Sequence, residues 1–419
     1  MGCEKNFFTP HLIFKDRGFT MDINIIKQKI EMIPSLLNEF GIDMWLTFVR
    51  ETDVMKDPAM DMITDRGVTW QTAFIFTAKG EKYLILGSLD KDNMLASTLY
   101  TEDEIKTYVG SIRDELKKTI EKINPKSIAI NRSADDIMSD GLTCGMYETL
   151  CEILKDTPYL ERFVPADPII SALRSRKTSV EIEKIQKAVD ITEEIYDKIT
   201  KNICAGMTEN DVANIVRDET KNRGLTSAWD SAHCPGIFAG AESAEAHAAP
   251  SDRVIEKGMV VHADFGVKFE GYCSDLQRTW YIMKDDETDA PDIVKRAFLA
   301  LDDSIQSSFK AIKPGVEGRV IDQISRDRLK AHGFEEYPHA LGHQVGRSTH
   351  DGAALLCPEW ERYGQRPYMK LEEGQVFTLE PRITLKEYGA VTMEEMIKIT
   401  ADGAVFLSRP QRELYLIKR

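Results

Sequence analysis

Four carboxylates and one imidazole embedded in apolar sequence set the strongest limit on how this chain can fold. Asp264 closes the run Val260-Val-His-Ala-Asp264, Asp275 closes Tyr272-Cys-Ser-Asp275, and Glu270-Gly271 between them reads as a turn. A hairpin folded there sets Asp264 and Asp275 on neighbouring strands, directly or diagonally opposite. Two carboxylates that close repel unless cations sit between them. Glu380 lies in Phe377-Thr-Leu-Glu380-Pro381 and Glu394 in Met393-Glu394-Glu395-Met396. Each is a carboxylate in an apolar strand, where burial is costly without a charged partner. His339-Ala-Leu-Gly-His343-Gln-Val-Gly-Arg-Ser-Thr-His350-Asp351 adds three imidazoles, spaced four and seven apart. A solvated hairpin with acidic edges would account for Asp264 and Asp275 alone, but not for the whole set. Hard oxygen ligands with a single nitrogen suit Mn²⁺, Co²⁺, Fe²⁺ or Zn²⁺. Two such ions about 3.5–4 Å apart can share a hydroxide that attacks a carbonyl.

Strand parity separates the adjacent glutamates. Alternate residues of a strand share a face. Val391, Met393, Ile397 and Ile399 form the apolar set, with Glu395 in register, toward the helices expected behind the sheet. Glu394 falls with Thr392 and Lys398, on the face that would open to the site.

The remaining sequence bounds the class of protein. At 419 residues the chain is long enough for two domains, each with its own core. A net charge of −15 argues against nucleic acid as a partner. No run of about 18 apolar residues exists, so no membrane-spanning helix is expected. The start, Met1-Gly2-Cys3-Glu4-Lys5-Asn6, lacks the apolar stretch of a signal peptide. Seven cysteines, odd in number and without CxxC spacing, fit free thiols in a reducing cytosol. A cytoplasmic location is therefore expected. Cys273, two residues before Asp275, reads as a small buried hydrophobe.

The first half reads as an α/β domain. It has a helix over 22–40 with Gly41 as its stop, a strand over 44–49, and a hairpin of 70–77 with 83–86. A long charged helix over about 102–123 and a strand over 127–130 follow. A boundary falls near Leu173–Lys177, after which Thr178-Ser-Val-Glu181 forms a capping box that opens a helix towards Cys204. Beyond it, seven of the eight histidines lie between 233 and 350. Thr208 starts another helix, strands follow near 258–282, and helices cover 292–311 and the stretch from Pro314-Gly315 to Lys330. From Gln375 onward the pattern alternates like antiparallel strands, and no tandem repeat is visible.

Taken together, Asp264-Phe-Gly, Gly271-Tyr-Cys-Ser-Asp275-Leu-Gln-Arg-Thr279, His339 to Asp351, Glu373-Gly-Gln-Val-Phe-Thr-Leu-Glu380-Pro381 and Glu394 closely resemble the pita-bread metallopeptidases of the Xaa-Pro aminopeptidase and prolidase type. The resemblance implies an α+β fold with a creatinase-like two-domain architecture. Residues 1–173 would be a smaller α/β N-terminal domain, and 174–419 the pita-bread catalytic domain. It implies two divalent ions, Mn²⁺ foremost and Co²⁺, Zn²⁺ or Fe²⁺ as alternatives. Asp264 would chelate one, His343 and Glu380 the other, and Asp275 and Glu394 would bridge both. The implied reaction is hydrolysis of Xaa-Pro bonds, at peptide N-termini or in dipeptides, by a hydroxide shared between the metals. Glu380 would also move protons, His247 and His350 would steady the tetrahedral oxyanion, and His339 would line the proline-side pocket. Arg366 matches an arginine that some members aim at the substrate carboxylate. Small peptides with proline second are the implied partners, and a homodimer the implied assembly.

Several positions depart from the family pattern. Arg382 follows Glu-Pro where Gly is usual, and Arg347 and Thr349 replace the common Leu and Val. His262 takes an apolar position, and Thr392 stands where many proline-specific members carry Arg. None removes a ligand, but all lie near the substrate pocket. The same scaffold also supports a dinuclear-metal lyase or hydrolase acting on a small charged non-peptide substrate. A third use, as a non-catalytic binding domain, fits the complete ligand set poorly.

Overall fold

The computed structural model describes residues 22–242 and 248–419. His247 and the Met1–Asn6 start fall outside them. The N-terminal unit begins with α1 (Ile23–Glu39), capped by the Asp22 side chain on the Asn24 amide at 3.0 Å. Strands β1 (Met44–Val49), β2 (Thr72–Thr77), β3 (Lys82–Gly87), β4 (Ile105–Tyr108), β5 (Ile128–Ile130) and β6 (Phe163–Pro165) form one sheet in the order β4-β3-β2-β1-β5-β6. The helices after α1 are α2 (Lys91–Leu95), α3 (Arg113–Ile123), α4 (Cys144–Leu154) and α5 (Asp167–Ser175). Alternation along β1 divides the apolar side chains between two cores. Trp45 packs with α1 and α5, while Met44 and Leu46 pack with α3 and α4.

The long helix expected over 102–123 is not one element. Ile105 is buried at the sheet edge, where β4 pairs in parallel with β3 through Leu84↔Ile105, and a helix begins only at Arg113. An edge ladder and a buried isoleucine outweigh the helix propensity of the flanking charged residues.

The second unit opens with α6 (Ser179–Asn202), whose Thr178–Glu181 capping box forms as expected, then α7 (Glu209–Asn222). Strands β7 (Thr226–Ser227), β8 (Gly236–Ala239), β9 (Val260–Phe265), β10 (Val267–Phe269), β11 (Tyr272–Cys273) and β12 (Leu276–Ile282) follow. The second helix pair, α8 (Asp292–Ala311) and α9 (Gly318–Ala331), matches the first in format: a long helix, a glycine-bearing turn, and a helix of 14 residues. The chain ends with β13 (Gly342–His343), β14 (Leu355–Leu356), β15 (Val376–Leu379), β16 (Arg382–Leu385), β17 (Gly389–Thr392), β18 (Glu395–Thr400), β19 (Gly403–Phe406) and β20 (Tyr415–Ile417).

One sheet runs β20-β12-β9-β8 and another β15-β18-β19, and a bridge between Gln277 on β12 and Glu394, just before β18, joins the two. Helices α6 and α7 close the first sheet, and α8 and α9 lie behind β15, β17 and β18. The carboxylates of interest all project from the seam between these two sheets. Among the described residues no helix is long and apolar enough to cross a membrane, and six cysteines are free thiols.

Candidate metal centre

Register places the two aspartates. Asp264 on β9 pairs with Gln277 on β12, so Asp275, two residues earlier, is its diagonal neighbour. Glu270-Gly271 does turn, both with positive φ. Its flanking strands β10 and β11, however, join β7 in a separate small sheet, so the aspartates stand where one sheet gives way to another. Across the seam, Glu394 follows β17, and its amide donates to the Gln277 carbonyl at 3.3 Å.

His343 and Glu380 arrive from the neighbouring strands. The His343 amide donates to Thr378 Oγ1 at 3.1 Å, and that hydroxyl donates to Glu380 Oε1 at 3.2 Å. A Cβ on Gly342 would lie 2.0 Å from the Thr378 carbonyl oxygen, so only glycine lets these chains approach so closely. His343 Nε2 then stands 3.1 Å from Glu380 Oε1 and 3.8 Å from Asp275 Oδ2. Asp275, His343 and Glu394 offer ligand atoms that lie within 4.8 Å of one another.

The cluster holds more negative charge than one imidazole can balance. Burial first, and the neighbouring Asp275 and Glu380 charges next, push the Asp264 carboxyl well above the usual range, and the same causes act on Glu394. Burial likewise drives Asp275 up to about 7. Burial alone would pull His343 down. The hydrogen bond and charge of Glu380 outweigh it and hold the imidazole at about 9. Glu380 itself stays low because His343 overcomes its desolvation. Asp264 Oδ1 and Glu394 Oε2 are buried without a hydrogen-bond partner. Buried polar oxygens are rarely left so. Hard donors, excess negative charge and orphaned carboxylate oxygens together fit divalent cations.

The metallopeptidase family M24 pattern matches residues 183–401, which contain all five of these residues. The chain belongs to metallopeptidase family M24. An Xaa-Pro dipeptidase from Pyrococcus furiosus is 30% identical over 318 residues, covering 74% of this chain and 86% of that one. Among solved structures, an Xaa-Pro dipeptidase from Bacillus anthracis is 26% identical with a TM-score of 0.70, covering 94% of this chain and all of that one. An X-Pro aminopeptidase from Thermotoga maritima is 25% identical with a TM-score of 0.67, covering 93% and 99%. This M24 chain therefore has the pita-bread fold and is a metal-dependent peptidase.

The other expected site residues of this M24 peptidase fall in different places. His350 packs edge-on to His343, ring centroids 4.3 Å apart. His339 is half-buried, with Nδ1 2.7 Å from the Ala340 carbonyl and its ring 4.8 Å from Tyr337. Burial lowers its pKa while the nearby Glu380 charge opposes. Arg366 is not drawn into the cluster; its guanidinium donates to the Asp135 carbonyl in the N-terminal unit. Arg347 is held by the Tyr272 hydroxyl at 3.2 Å and by the Asp61 carbonyl, at the junction with that unit. His262 behaves as an apolar group: it stacks on Phe238 at 4.9 Å, and burial drives its pKa down to about 3.

Sequence reasoning missed the groups that hold this frame. The Tyr196 hydroxyl reaches the carbonyls of Ala263 and Leu276 at 3.0 and 2.6 Å, clamping both aspartate strands from α6. Arg326 pairs with Asp322 at 2.6 Å and donates to the carbonyls of Tyr337 and His339, while the Leu341 amide donates to Asp322. This buried pair anchors the entry to the histidine segment. The only sequence signal was their spacing of four on one helix face.

The charge balance dictates a pH dependence. Without metal, Asp275 is shifted from 3.8 to about 7 and His343 from 6.5 to about 9, so these two groups bind more protons in the folded chain than in the unfolded one. Unfolding free energy should therefore fall as pH rises from about 6.5 to 8. Burial lowers His262 and His339, which oppose this slope below about 6.5, and lowers Lys29 to about 8, which opposes it above that pH. Urea unfolding in EDTA across this range tests the point. Added Mn²⁺ should reverse the slope, because ligands bind metal in their deprotonated form. A metal-free stability that climbs from about pH 6.5 to 8 would contradict this charge assignment.

Proposed function

We propose that this protein hydrolyses Xaa-Pro bonds, in dipeptides and at the N-termini of short peptides. One observation carries the reading: two buried, orphaned carboxylate oxygens, on Asp264 and Glu394, beside the Asp275–His343–Glu380 group. Asp264, Asp275, His343, Glu380 and Glu394 would hold two divalent ions, with Mn²⁺ best suited to so oxygen-rich a donor set. When bound, such a pair supplies Lewis acidity and a water activated near neutral pH. The names of the related dipeptidases and aminopeptidase support the substrate class.

The chain's own groups then have separable tasks. Glu380 takes the proton of the attacking water and returns it to the leaving imino nitrogen. His350, with His247, donates hydrogen bonds to the oxygen that becomes negative at the former carbonyl. His339 borders the proline side. The assay that tests the reading is a panel of Xaa-Pro dipeptides and Xaa-Pro-Xaa peptides with added Mn²⁺, run beside metal analysis. Cleavage of non-proline peptides only, or of none, would reject it.

Arg366 is assigned to the C-terminal carboxylate of a dipeptide. A guanidinium has five N–H donors, and the bond to Asp135 uses one of them. Arg366→Ala should therefore weaken dipeptide hydrolysis more than tripeptide hydrolysis, where the carboxylate lies farther from the scissile bond. Equal losses on the two would leave Arg366 only its link to Asp135.

A further inference from the structure

His343 and His350 stand at either end of a closed turn. Its ends are joined by the Asp351 amide donating to the Gln344 carbonyl at 2.9 Å, and both residues are fully buried. The Asp351 carboxylate folds back inside the turn and accepts from the Arg347 amide at 3.0 Å. It has room to do so because residue 346 is glycine; a Cβ there would lie 1.9 Å from Asp351 Oδ2.

Two cations from outside the turn converge on the same carboxylate. Arg174, on α5, donates from Nη2 to Asp351 Oδ1, and Lys177 Nζ lies 3.4 Å from Oδ2. All three side chains are nearly inaccessible to water, at 4, 0 and 3% exposure. Buried charge-assisted bonds of this kind fix geometry strongly, and they leave an uncompensated charge if one partner is removed. Arg174 belongs to the N-terminal unit: α5 packs into its core, and Arg174 Nη1 donates to the Pro58 carbonyl at 3.2 Å. Three residues on, the Asp61 carbonyl receives Arg347 of the same turn.

We propose that Asp351 is a positioning residue that fixes the 344–351 turn, so that His350 meets His343 edge-on, and that through Arg174 it ties this placement to the seating of the N-terminal domain. The consequence for catalysis rests on the reading of His350 given above; the structural coupling does not. Asp351 touches no ligand of the proposed metal pair. Its loss should act on the transition-state donor and not on metal or substrate uptake.

The test compares Asp351→Asn, Arg174→Gln and Arg176→Gln in the full-length, Mn²⁺-loaded protein. Arg176 also bridges the two units, through Glu39 and Glu372, but does not contact Asp351. Hydrogen exchange should rise together in peptides 343–352 and 56–62 for Asp351→Asn and Arg174→Gln, with metal content retained, and stay near wild type for Arg176→Gln. On whichever peptide the wild type cleaves, the first two should lose about tenfold or more in kcat with KM changed by less than about threefold, given the order of magnitude of a displaced oxyanion donor. If Asp351→Asn fails to fold, Arg174→Gln decides, since it leaves Asp351 paired one-to-one with Lys177. Unchanged exchange at 343–352 in Arg174→Gln overturns the coupling, and so does an equal effect in Arg176→Gln. The exchange arms need no substrate, so they stand even if the wild type cleaves no Xaa-Pro peptide.

Discussion

Glu394→Gln should abolish two-metal occupancy and activity, whereas Glu395→Gln should keep both metals and lose thermal stability. The two glutamates are adjacent and equally buried, at 1 and 0% exposure, yet their surroundings are opposite. Glu395 is paired: Arg278 Nη1 lies 3.1 Å from its Oε1, Ser408 donates to Oε2 at 2.5 Å, and the Gln411 amide donates to Oε1 at 2.9 Å. Neutralising one partner of a buried pair costs about 3–5 kcal/mol when the other charge is stranded. Arg278 keeps its bonds to the carbonyls of Gln277, Glu394 and Arg409, so the low end applies. For a protein of this size the loss corresponds to a drop on the order of 3–4 °C in melting temperature.

Glu394 meets the Gln277 side chain but, among the described residues, no cation like Arg278. Its Oε2 is orphaned, and burial with three neighbouring carboxylates drives its pKa up. Glutamine at 394 removes a repulsive charge, so the metal-free variant should melt at the wild-type temperature or above while failing to load. Metal analysis and melting curves in EDTA give the two signs. If Glu395→Gln alone loses metal, the strand assignment is wrong by one residue.

Strand parity was enough to separate these two glutamates because it depends only on local alternation. The proposed ligands stand out for the same reason: each carboxylate lies in an apolar stretch, whatever its tertiary contacts. What the sequence concealed is what reaches across it. Tyr196 clamps the aspartate strands from 67 and 80 residues away, and Arg174 meets Asp351 across 177. No window of neighbours carries such a signal. The 102–123 stretch failed for a related reason, since the edge ladder that claims Ile105 belongs to β3, not to the local pattern. Arg347 departs from the family pattern, but its partners, Tyr272 and Asp61, are set by how the two units meet.

His350→Ala and His247→Ala should both retain metal and lose turnover by about 10²–10³, the value of one oxyanion donor. His350 meets the His343 ring edge-on at 82° and is not one of the proposed ligands, so its removal takes away no oxygen or nitrogen of that set. His350 is exposed beside the proposed ligand His343, so on the reading above it can turn toward a bound substrate. Its contribution is then realised in the transition state rather than the ground state, which lowers kcat and kcat/KM together and leaves KM near wild type. His247 lies outside the described residues, and the same expectation is carried to it by its place in the family pattern alone. The pair also separates two explanations of any activity loss. A metal-site defect would be rescued by raising Mn²⁺, whereas loss of an oxyanion donor would not. Near wild-type turnover in both variants, or recovery of either with excess Mn²⁺, would remove these histidines from the transition state.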